Sequence, residues 1–582
     1  MIYRIAFVVF GFCCVANVAT WAQNANFSAF NLSSFKGTPG YFRVAKTKEG
    51  QWWFITPEGK PFFYKGVCAV NRAGTMGGRR AQPGPYAATV DRKYNYSQSP
   101  DAFVKASLTT IRDHGFNALG AWATEEFFNK GMPFTEIIEF FKEGPFLPSA
   151  NYREGLPDIF DPQWMINADR KVRALCTPLR ESKELVGYFT DNEIGFGKIE
   201  DAEFNPGFQT GQFDMSLLRL VLGMDSSRAA YKEAWQFVLS RHGNDFRRLS
   251  DDWKVQLFNA EEMKVLNTMK ARILGDTYET DAAAFSKMYA ERYFRIAQQL
   301  IRRYDPNHLI LGCRFGGPPP AYVLDAIKPY TDVISANNYQ PILYDRYDTV
   351  YKQTDLPLLI GEVSWNTDLF KTIPYANEVN KPLSVKERMF RAGANTLQRA
   401  AMHDAIVGFT WYRWVQGVST EDRFFDGVVN YNDEPDIHST AHKALLPGLD
   451  KLRVLSNGGT WKTMPLQNGE MNLFFDSLRA NWAHFIRLEW REGRLLPHLA
   501  GWKMSGKPIA YKLSDNQLEA TLIVDFSEAS QRQGSIPAGK GSYTIKLQRF
   551  GDKWHGMYQG KYNGNPVSGK LYAFYFPNLS MN

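Results

Sequence analysis

The fold is decided by the stretch GYFTDNE, residues 187–193, in which an apolar run (185–189) ends at a polar Asn-Glu pair. A second stretch, LLIGE at residues 358–362, repeats the pattern about 170 residues later. Each pattern predicts a buried strand with one carboxylate at its C-terminal end. In a (β/α)8 barrel these strand ends form the face that carries the functional groups.

Alternating strand and helix signals between these stretches and around them predict an α/β fold, a (β/α)8 TIM barrel. A Trp-rich hairpin before the first barrel strand is expected to close the barrel floor. Strong helical patterning over about 200–285 predicts a helical insertion in the barrel. The eight predicted strands are 62–70, 117–122, 134–141, 185–189, 309–313, 333–336, 358–362 and 407–411.

The chain is expected to contain four regions. Residues 1–22, with Arg4 before an apolar run, have the pattern of a secretory signal peptide, and 23–40 read as a flexible lead-in. The catalytic barrel is expected over 41–457. Short runs of period two with turn signals predict a C-terminal all-β, sandwich-like domain over 465–582. Export to the periplasm or the cell exterior is therefore expected, with lipidation left open.

Composition and motifs exclude several classes of function. A net charge of +8 over 582 residues, without a Lys/Arg run, gives no indication of a nucleic-acid partner. Past the signal segment no apolar run reaches the roughly 18 residues of a membrane-spanning helix. Cys68, Cys176 and Cys313 are expected to be buried thiols. His438 and His442 have helical spacing, which we interpret as a solvated helix face and not a zinc site. No cofactor-binding motif occurs, so neither a cofactor nor a metal is expected.

Glu193 and Glu362 are the candidate catalytic residues, because glycoside hydrolysis requires a proton donor and a second carboxylate. Glu193 is expected to be the acid/base, with its pKa raised by burial and by the second carboxylate. Glu362 is expected to be the nucleophile, kept ionised by donors that include Tyr339. An Asn directly before this Glu is similar to the arrangement in retaining barrel glycosidases, a resemblance that implies a hydrogen bond from Asn192 to the sugar 2-hydroxyl. The alternative is that either Glu caps a helix or pairs with an arginine.

These residues resemble glycoside hydrolase family 50, the β-agarases, and more loosely the β-galactosidases of family 42. The resemblance covers TPEGKPFF (56–63), GYFTDNE (187–193), IGE (360–362), a weaker match over 235–253, and the region from 408 to 414 with DGV at 426–428. It implies a retaining mechanism with β-1,4-linked, agarose-type galactan as the substrate, in an exo- or endo-acting mode. Two rivals stay open: hydrolysis of porphyran or a β-galactoside, and non-catalytic carbohydrate binding on a barrel scaffold.

Further residues at predicted strand ends are candidates for substrate binding. Four tryptophans could stack on sugar rings, although each could instead fill the core. Arg314, and Arg413 after strand eight, would suit a sulfated or acidic galactan. The complete set of binding candidates is Asn71, Trp122, Asn192, Arg314, Tyr339, Trp365, Trp411 and Trp414. The oligomeric state and the role of the C-terminal domain are left open.

Overall fold

The structure is a computed structural model. It describes residues 27–76, 84–147, 156–194, 216–255, 276–339, 343–365, 376–378, 381–382, 385–416, 426–457, 469–475, 486–491, 494–499, 510–514, 516–525, 540–550 and 553–577. The predicted signal peptide lies outside these ranges, as do parts of the lead-in and of the insertion. No helix within them has the length and apolar composition that crossing a membrane requires.

A three-stranded antiparallel sheet precedes the barrel, formed by β1 (Arg43–Lys46), β2 (Trp52–Ile55) and β3 (Pro61–Phe62). Gly59 adopts a positive φ of 83° in the turn between β2 and β3, which a glycine does without steric cost. This confirms the predicted hairpin. All four residues of β2 are buried, so the sheet packs as part of the core.

The barrel is one parallel sheet with the strand order β8-β7-β6-β5-β4-β14-β11-β10-β9. Its two outermost strands, β8 and β9, belong to one chain segment: β8 pairs with β7, while β9 pairs with β10. The sheet therefore closes on itself, and the predicted strand five is split into two short pieces. The barrel strands are β4 (Tyr64–Val67), β5 (Ala118–Leu119), β6 (Phe134–Ile137), β7 (Leu185–Phe189), β8 (Leu309–Ile310), β9 (Arg314–Phe315), β10 (Ile334–Ala336), β11 (Leu358–Val363) and β14 (Ile406–Trp411). Between β11 and β14 the chain forms a separate antiparallel pair, β12 (Ala376–Glu378) and β13 (Lys381–Pro382).

Every residue of the barrel strands is buried, as expected for a parallel sheet enclosed by helices. Gly187 permits the close pairing of β7 with β8, because a Cβ there would lie 2.3 Å from the carbonyl oxygen of Leu309. The helices are α1 (Pro85–Tyr94), α2 (Pro100–Asp113), α3 (Pro162–Cys176), α4 (Leu217–Leu222), α5 (Ala229–Arg241), α6 (Phe246–Asp252), α7 (Asp276–Tyr304), α8 (Ala321–Ile327), α9 (Tyr344–Thr354), α10 (Val385–Met402) and α11 (Ser439–Ser456).

Helices α4 to α6 lie within the predicted insertion. The long helix α7 begins near its end and buries Tyr289, Tyr293, Ile296 and Leu300 on the predicted face. Helix α7 packs against α3 and α4, and its Tyr293 donates a hydrogen bond to Asp191, two residues before Glu193. The three cysteines are free and buried, as predicted.

The C-terminal region is an antiparallel sheet of eight strands in the order β17-β16-β15-β22-β21-β20-β19-β18. Its all-β character confirms the sequence-based prediction. Asn563 and Gly564 have φ values of 50° and 81°, as a two-residue hairpin turn requires. The strands are β15 (Gly469–Phe475), β16 (Ile486–Arg491), β17 (Arg494–Leu499), β18 (Tyr511–Leu513), β19 (Gln517–Asp525), β20 (Lys540–Phe550), β21 (Lys553–Tyr562) and β22 (Asn565–Pro577).

Arg453 of α11 connects the N-terminal sheet to the barrel. It is fully buried and donates hydrogen bonds to the carbonyl oxygens of Ala401 (3.0 Å), His403 and Trp52.

We expect Arg453→Leu to lower the free energy of unfolding by about 3 kcal/mol or more, because three carbonyls lose a charged donor. Urea denaturation would measure the loss. Arg112→Leu is the control, since exposed Arg112 donates to a single carbonyl, that of Gly131; equal losses in both variants would contradict this account.

Candidate active site

The two candidate carboxylates lie at the C-terminal ends of β7 and β11, the same face of the barrel. Glu193 follows β7 with a positive φ of 52°, and its N–H donates to the carbonyl oxygen of Arg314 at 2.7 Å. Glu362 lies within β11 and is 4% exposed. Strand five thus fixes the backbone of Glu193, while Glu362 lies in β11 between Ile360 and Val363, where the pairing of β11 with β14 shifts register.

Three consecutive residues after β10 contact the two glutamates, two of them at the carboxylates and one at the backbone of Glu362. Asn337 donates from Nδ2 to Glu193 Oε1 at 2.8 Å. The N–H of Asn338 donates to the carbonyl oxygen of Glu362 at 2.8 Å, and the Tyr339 hydroxyl donates to Glu362 Oε2. Residues 337–339, the strand-six segment, therefore link the two glutamates.

Arg314 is fully buried beside Glu362. Its Nη2 lies 3.1 Å from Glu362 Oε1 and donates to the carbonyl oxygen of Gly361 at 2.6 Å. Its Cζ lies 4.4 Å from the ring centroid of Trp122, a cation–π contact. The arginine therefore faces the candidate nucleophile and covers one face of that indole.

Opposing effects set the protonation of Glu362. Burial raises its pKa above the ordinary value, since the charged form loses hydration. The charge of Arg314, the hydrogen bond from Tyr339 and the charge of Arg413 act against that rise. Tyr339, the one donor to Glu362 that the sequence analysis named, makes this contact, whereas Arg314 was expected to bind substrate. Arg413 itself is about one-sixth exposed and lies 3.5 Å from a carboxylate oxygen of Asp426.

Asp191 anchors the turn that carries Asn192 and Glu193. Its carboxylate accepts hydrogen bonds from the N–H of Phe141 at 2.9 Å and from the hydroxyl of Tyr293 in α7. Asn192 is 8% exposed, and its backbone pairs with that of Arg314, a residue of strand five, as an isolated parallel β-bridge. The turn is therefore held from three sides.

The first barrel strand, β4, ends at Val67 and not at residue 70, so Asn71 lies in the loop beyond it, and its side chain bonds to backbone groups. Its Nδ2 donates to the carbonyl oxygens of Thr75 and Trp122, both at 2.9 Å, and its Oδ1 accepts from the N–H of Gly74. With both donors occupied, these contacts favour a role in loop structure. Trp122 is 7% exposed and donates from Nε1 to Glu139.

Three of the predicted stacking platforms are core residues. Trp365, Trp411 and Trp414 are fully buried, so their rings are not available to a sugar in this conformation. Trp365 and Trp411 are 5.0 Å apart between ring centroids and pack against His438 and His442. The physical reason is that residues at the start of α11 pack against Trp365 and Trp411, while Trp414 donates from Nε1 to the hydroxyl of Tyr86 in α1.

The prediction of a solvated face for His438 and His442 is wrong. Both side chains are fully buried at the start of α11, because they fill the space behind the two indoles. Burial lowers the pKa of His442 well below its ordinary value, so its imidazole is neutral.

Sequence reasoning did not select Asn337 or Asp191. One signal for Asn337 was available, since the polar run Asn-Asn-Tyr follows β10 directly, as Asn-Glu follows β7. Asp191 also belonged to the quoted motif, but its anchoring role depends on Tyr293, about 100 residues later.

Two curated proteins resemble this chain in sequence, and both are β-agarases. β-Agarase B of Vibrio sp. (strain JT0107) is 25% identical over 358 residues, which covers 60% of this chain and 36% of that protein. β-Agarase A of the same strain is 23% identical over 447 residues, covering 68% and 43%. The chain is similar to the β-agarases of glycoside hydrolase family 50. It spans less than half the length of these curated relatives, and no family model matches it.

Solved structures give the same fold. An exo-β-agarase superposes with a TM-score of 0.59 at 21% identity, covering 72% of this chain and 67% of that one. A second agarase, AgWH50C, gives a TM-score of 0.57 at 21% identity, covering 75% and 70%. At this identity the likeness establishes the barrel architecture.

The hydrogen bonds of Asn71 predict a loss of stability on its replacement. Asn71→Ala should lower the free energy of unfolding by about 2 kcal/mol, because buried backbone groups lose their partners. Thermal and urea denaturation would measure the change. Asn307→Ala is the control, since the Asn307 side chain makes a single exposed bond, to the carbonyl of Arg180. An Asn71→Ala protein as stable as the control would exclude the structural role.

Proposed function

We propose that the protein is a retaining glycoside hydrolase that cleaves β-1,4 linkages of agarose-type galactan. The supporting observation is the pair of carboxylates at the ends of β7 and β11, linked by the strand-six segment. Similarity to β-agarases supports the substrate class. Attack at the chain end (exo-action) is one mode that the proposal allows, and the similar fold of an exo-β-agarase is compatible with it.

In the first step Glu362 attacks the anomeric carbon, and the bond from this carbon to the glycosidic oxygen breaks. Glu193 transfers its proton to the departing oxygen, so the leaving sugar departs as an alcohol. The glycosyl group is then joined to Glu362 as an ester, and Glu193 is ionised.

In the second step Glu193 removes a proton from water, which attacks the anomeric carbon and releases Glu362. Two inversions leave the anomeric configuration of the product unchanged. Asn192, next to the acid/base, is placed to bond the sugar 2-hydroxyl, a contact that strengthens in the transition state.

The environment of Glu362 supports its assignment as nucleophile. Arg314 provides a buried positive charge beside one carboxylate oxygen, and Tyr339 donates to the other. Both favour the ionised form that nucleophilic attack requires. Glu193, in contrast, accepts from the neutral amide of Asn337.

A sulfated or acidic galactan is a second candidate substrate, and Arg413 is the observation that favours it. This side chain is partly exposed, and its positive charge acts on the Glu362 carboxylate. Arg314 supports this candidate less, because its guanidinium is enclosed by Trp122 and Glu362.

The remaining sequence-based assignments stay part of the proposal. These are export to the periplasm or the cell exterior, the division into a barrel over 41–457 and a β domain over 465–582, and a polysaccharide substrate as the partner. The alternative of a non-catalytic carbohydrate-binding protein shares these features and differs in turnover alone.

Product analysis tests the proposal. The wild-type protein should release short oligosaccharides from agarose, and Glu193→Gln and Glu362→Gln should each lower kcat by about 10³-fold or more, because each removes one reacting group. Chromatography of the products and reducing-sugar release would measure both. Glu434→Gln is the control, as this exposed residue lies outside the site.

Each outcome bears on one part of the proposal. Cleavage of porphyran alone, lost in Arg413→Gln, would replace agarose by the second candidate substrate. Tight binding to a galactan without turnover would favour the non-catalytic alternative. Full activity in either glutamate variant would contradict the two-carboxylate mechanism.

The pH profile tests the ionisation of Glu362. Tyr339→Phe removes a hydrogen bond that lowers the pKa of Glu362, so that pKa should rise. Because the nucleophile acts when ionised, the acidic limb of kcat/KM against pH should move to higher pH. Tyr347→Phe is the matched control, since the Tyr347 hydroxyl donates to a neutral carbonyl, that of Ala336. An acidic limb that stays in place in Tyr339→Phe would refute this assignment.

A further inference from the structure

Asn337 is a fully buried amide at the end of β10 whose only described side-chain hydrogen bond goes to Glu193. Its backbone N–H donates to the carbonyl oxygen of Phe315 at 2.6 Å, so pairing with strand five fixes the position of its Cα. A buried amide held in this way has little freedom to turn away from the carboxylate.

The orientation of this amide assigns different roles to the two oxygens of Glu193. Nδ2 of Asn337 can only donate, and it occupies Oε1 at 2.8 Å. In the protonated acid the oxygen that accepts this bond is the carbonyl oxygen, so the transferable proton resides on Oε2. A half-turn of the protonated carboxyl group would point its hydroxyl at the amide of Asn337, so that two donors face each other and Nδ2 loses its carbonyl acceptor.

Gly361 provides the space that the amide occupies. A Cβ at position 361 would lie 2.6 Å from Asn337 Oδ1 and 2.8 Å from Ser335 Oγ, both closer than real Cβ contacts. Gly361, the residue before the candidate nucleophile, therefore leaves room for the Asn337 amide because it has no side chain. The packing of the two strands and the hydrogen bond to Glu193 depend on the same close approach.

We propose that Asn337 is a positioning residue for the acid/base: it fixes the Glu193 carboxyl group so that Oε2 presents the proton to the glycosidic oxygen. The inference rests on the proposed function. In the reaction, the proton passes from Oε2 to the leaving oxygen as the glycosidic bond breaks and the bond to Glu362 forms. Asn337 exchanges no proton and touches no substrate.

A comparison of leaving groups tests this role. A dinitrophenyl glycoside of the released sugar leaves without a proton, whereas the galactan requires one. Asn337→Ala should lower kcat/KM for the galactan by about 10²-fold, the range of general acid catalysis, and leave kcat/KM for the dinitrophenyl substrate within about threefold. These values report the steps up to formation of the ester, which are the steps that use the acid.

Two further variants make the test decisive. Asn337→Leu keeps a side chain of similar size and removes the donor without adding a charge, so it should give the same split even if Asn337→Ala folds poorly. Ser335→Ala is the matched control, because this buried hydroxyl adjoins the same Gly361 position and makes no contact with Glu193. It should leave both substrates nearly unaffected.

Equal losses on both substrates would show a structural role for Asn337 and overturn the inference, as would unchanged activity on the galactan. In either case an active wild-type protein would leave the proposed function standing. A wild-type protein inactive on every galactan and on the dinitrophenyl glycoside would overturn the proposed function and, with it, the inference.

Discussion

The contacts of Arg314 are the constraint on which the rest of the site depends. Its backbone lies where the barrel sheet closes, and its carbonyl oxygen accepts the N–H of Glu193. Its side chain forms a buried ion pair with Glu362. One residue of strand five thus connects the proposed acid/base to the proposed nucleophile. Because a buried charge without a partner costs several kcal/mol, the charge of Arg314 opposes the rise that burial causes in the pKa of Glu362.

This arrangement explains why the two carboxylates differ in chemistry although both are glutamates. Glu362 is buried, pairs with a positive charge and accepts a phenolic hydrogen bond, which together favour the anion against the effect of burial. Glu193 lies on a turn anchored by Asp191 and accepts from the amide of Asn337. The strand-six segment contacts both glutamates, so their relative position depends on residues that directly follow β7 and β10. A rigid scaffold of this kind suits a reaction that depends on the positions of two groups.

The sequence predicted the barrel, the helical insertion and the strand positions of both glutamates, because apolar runs that end in polar residues are a local signal. It did not predict which polar residue after a strand faces a partner, since that depends on the pairing register between distant strands. Asn337 was missed for this reason, whereas Tyr339 two residues later was selected. The burial of Trp365, Trp411 and His442 likewise depends on where α11 packs, which helical spacing alone does not determine. Asn71 likewise follows a barrel strand, but the carbonyl oxygens of Thr75 and Trp122 accept both hydrogen bonds that its side-chain amide can donate.

The most direct measurement is the capture of the glycosyl-enzyme. A 2-fluoro glycoside of the released sugar with a dinitrophenyl leaving group would form the ester with Glu362 and slow its hydrolysis. Peptide mass spectrometry of the labelled protein should then find the sugar on the peptide that contains Glu362, with no labelling in Glu362→Gln. A sugar attached to Glu193, or turnover of the galactan by inversion with no adduct, would contradict the assignment of the two carboxylates.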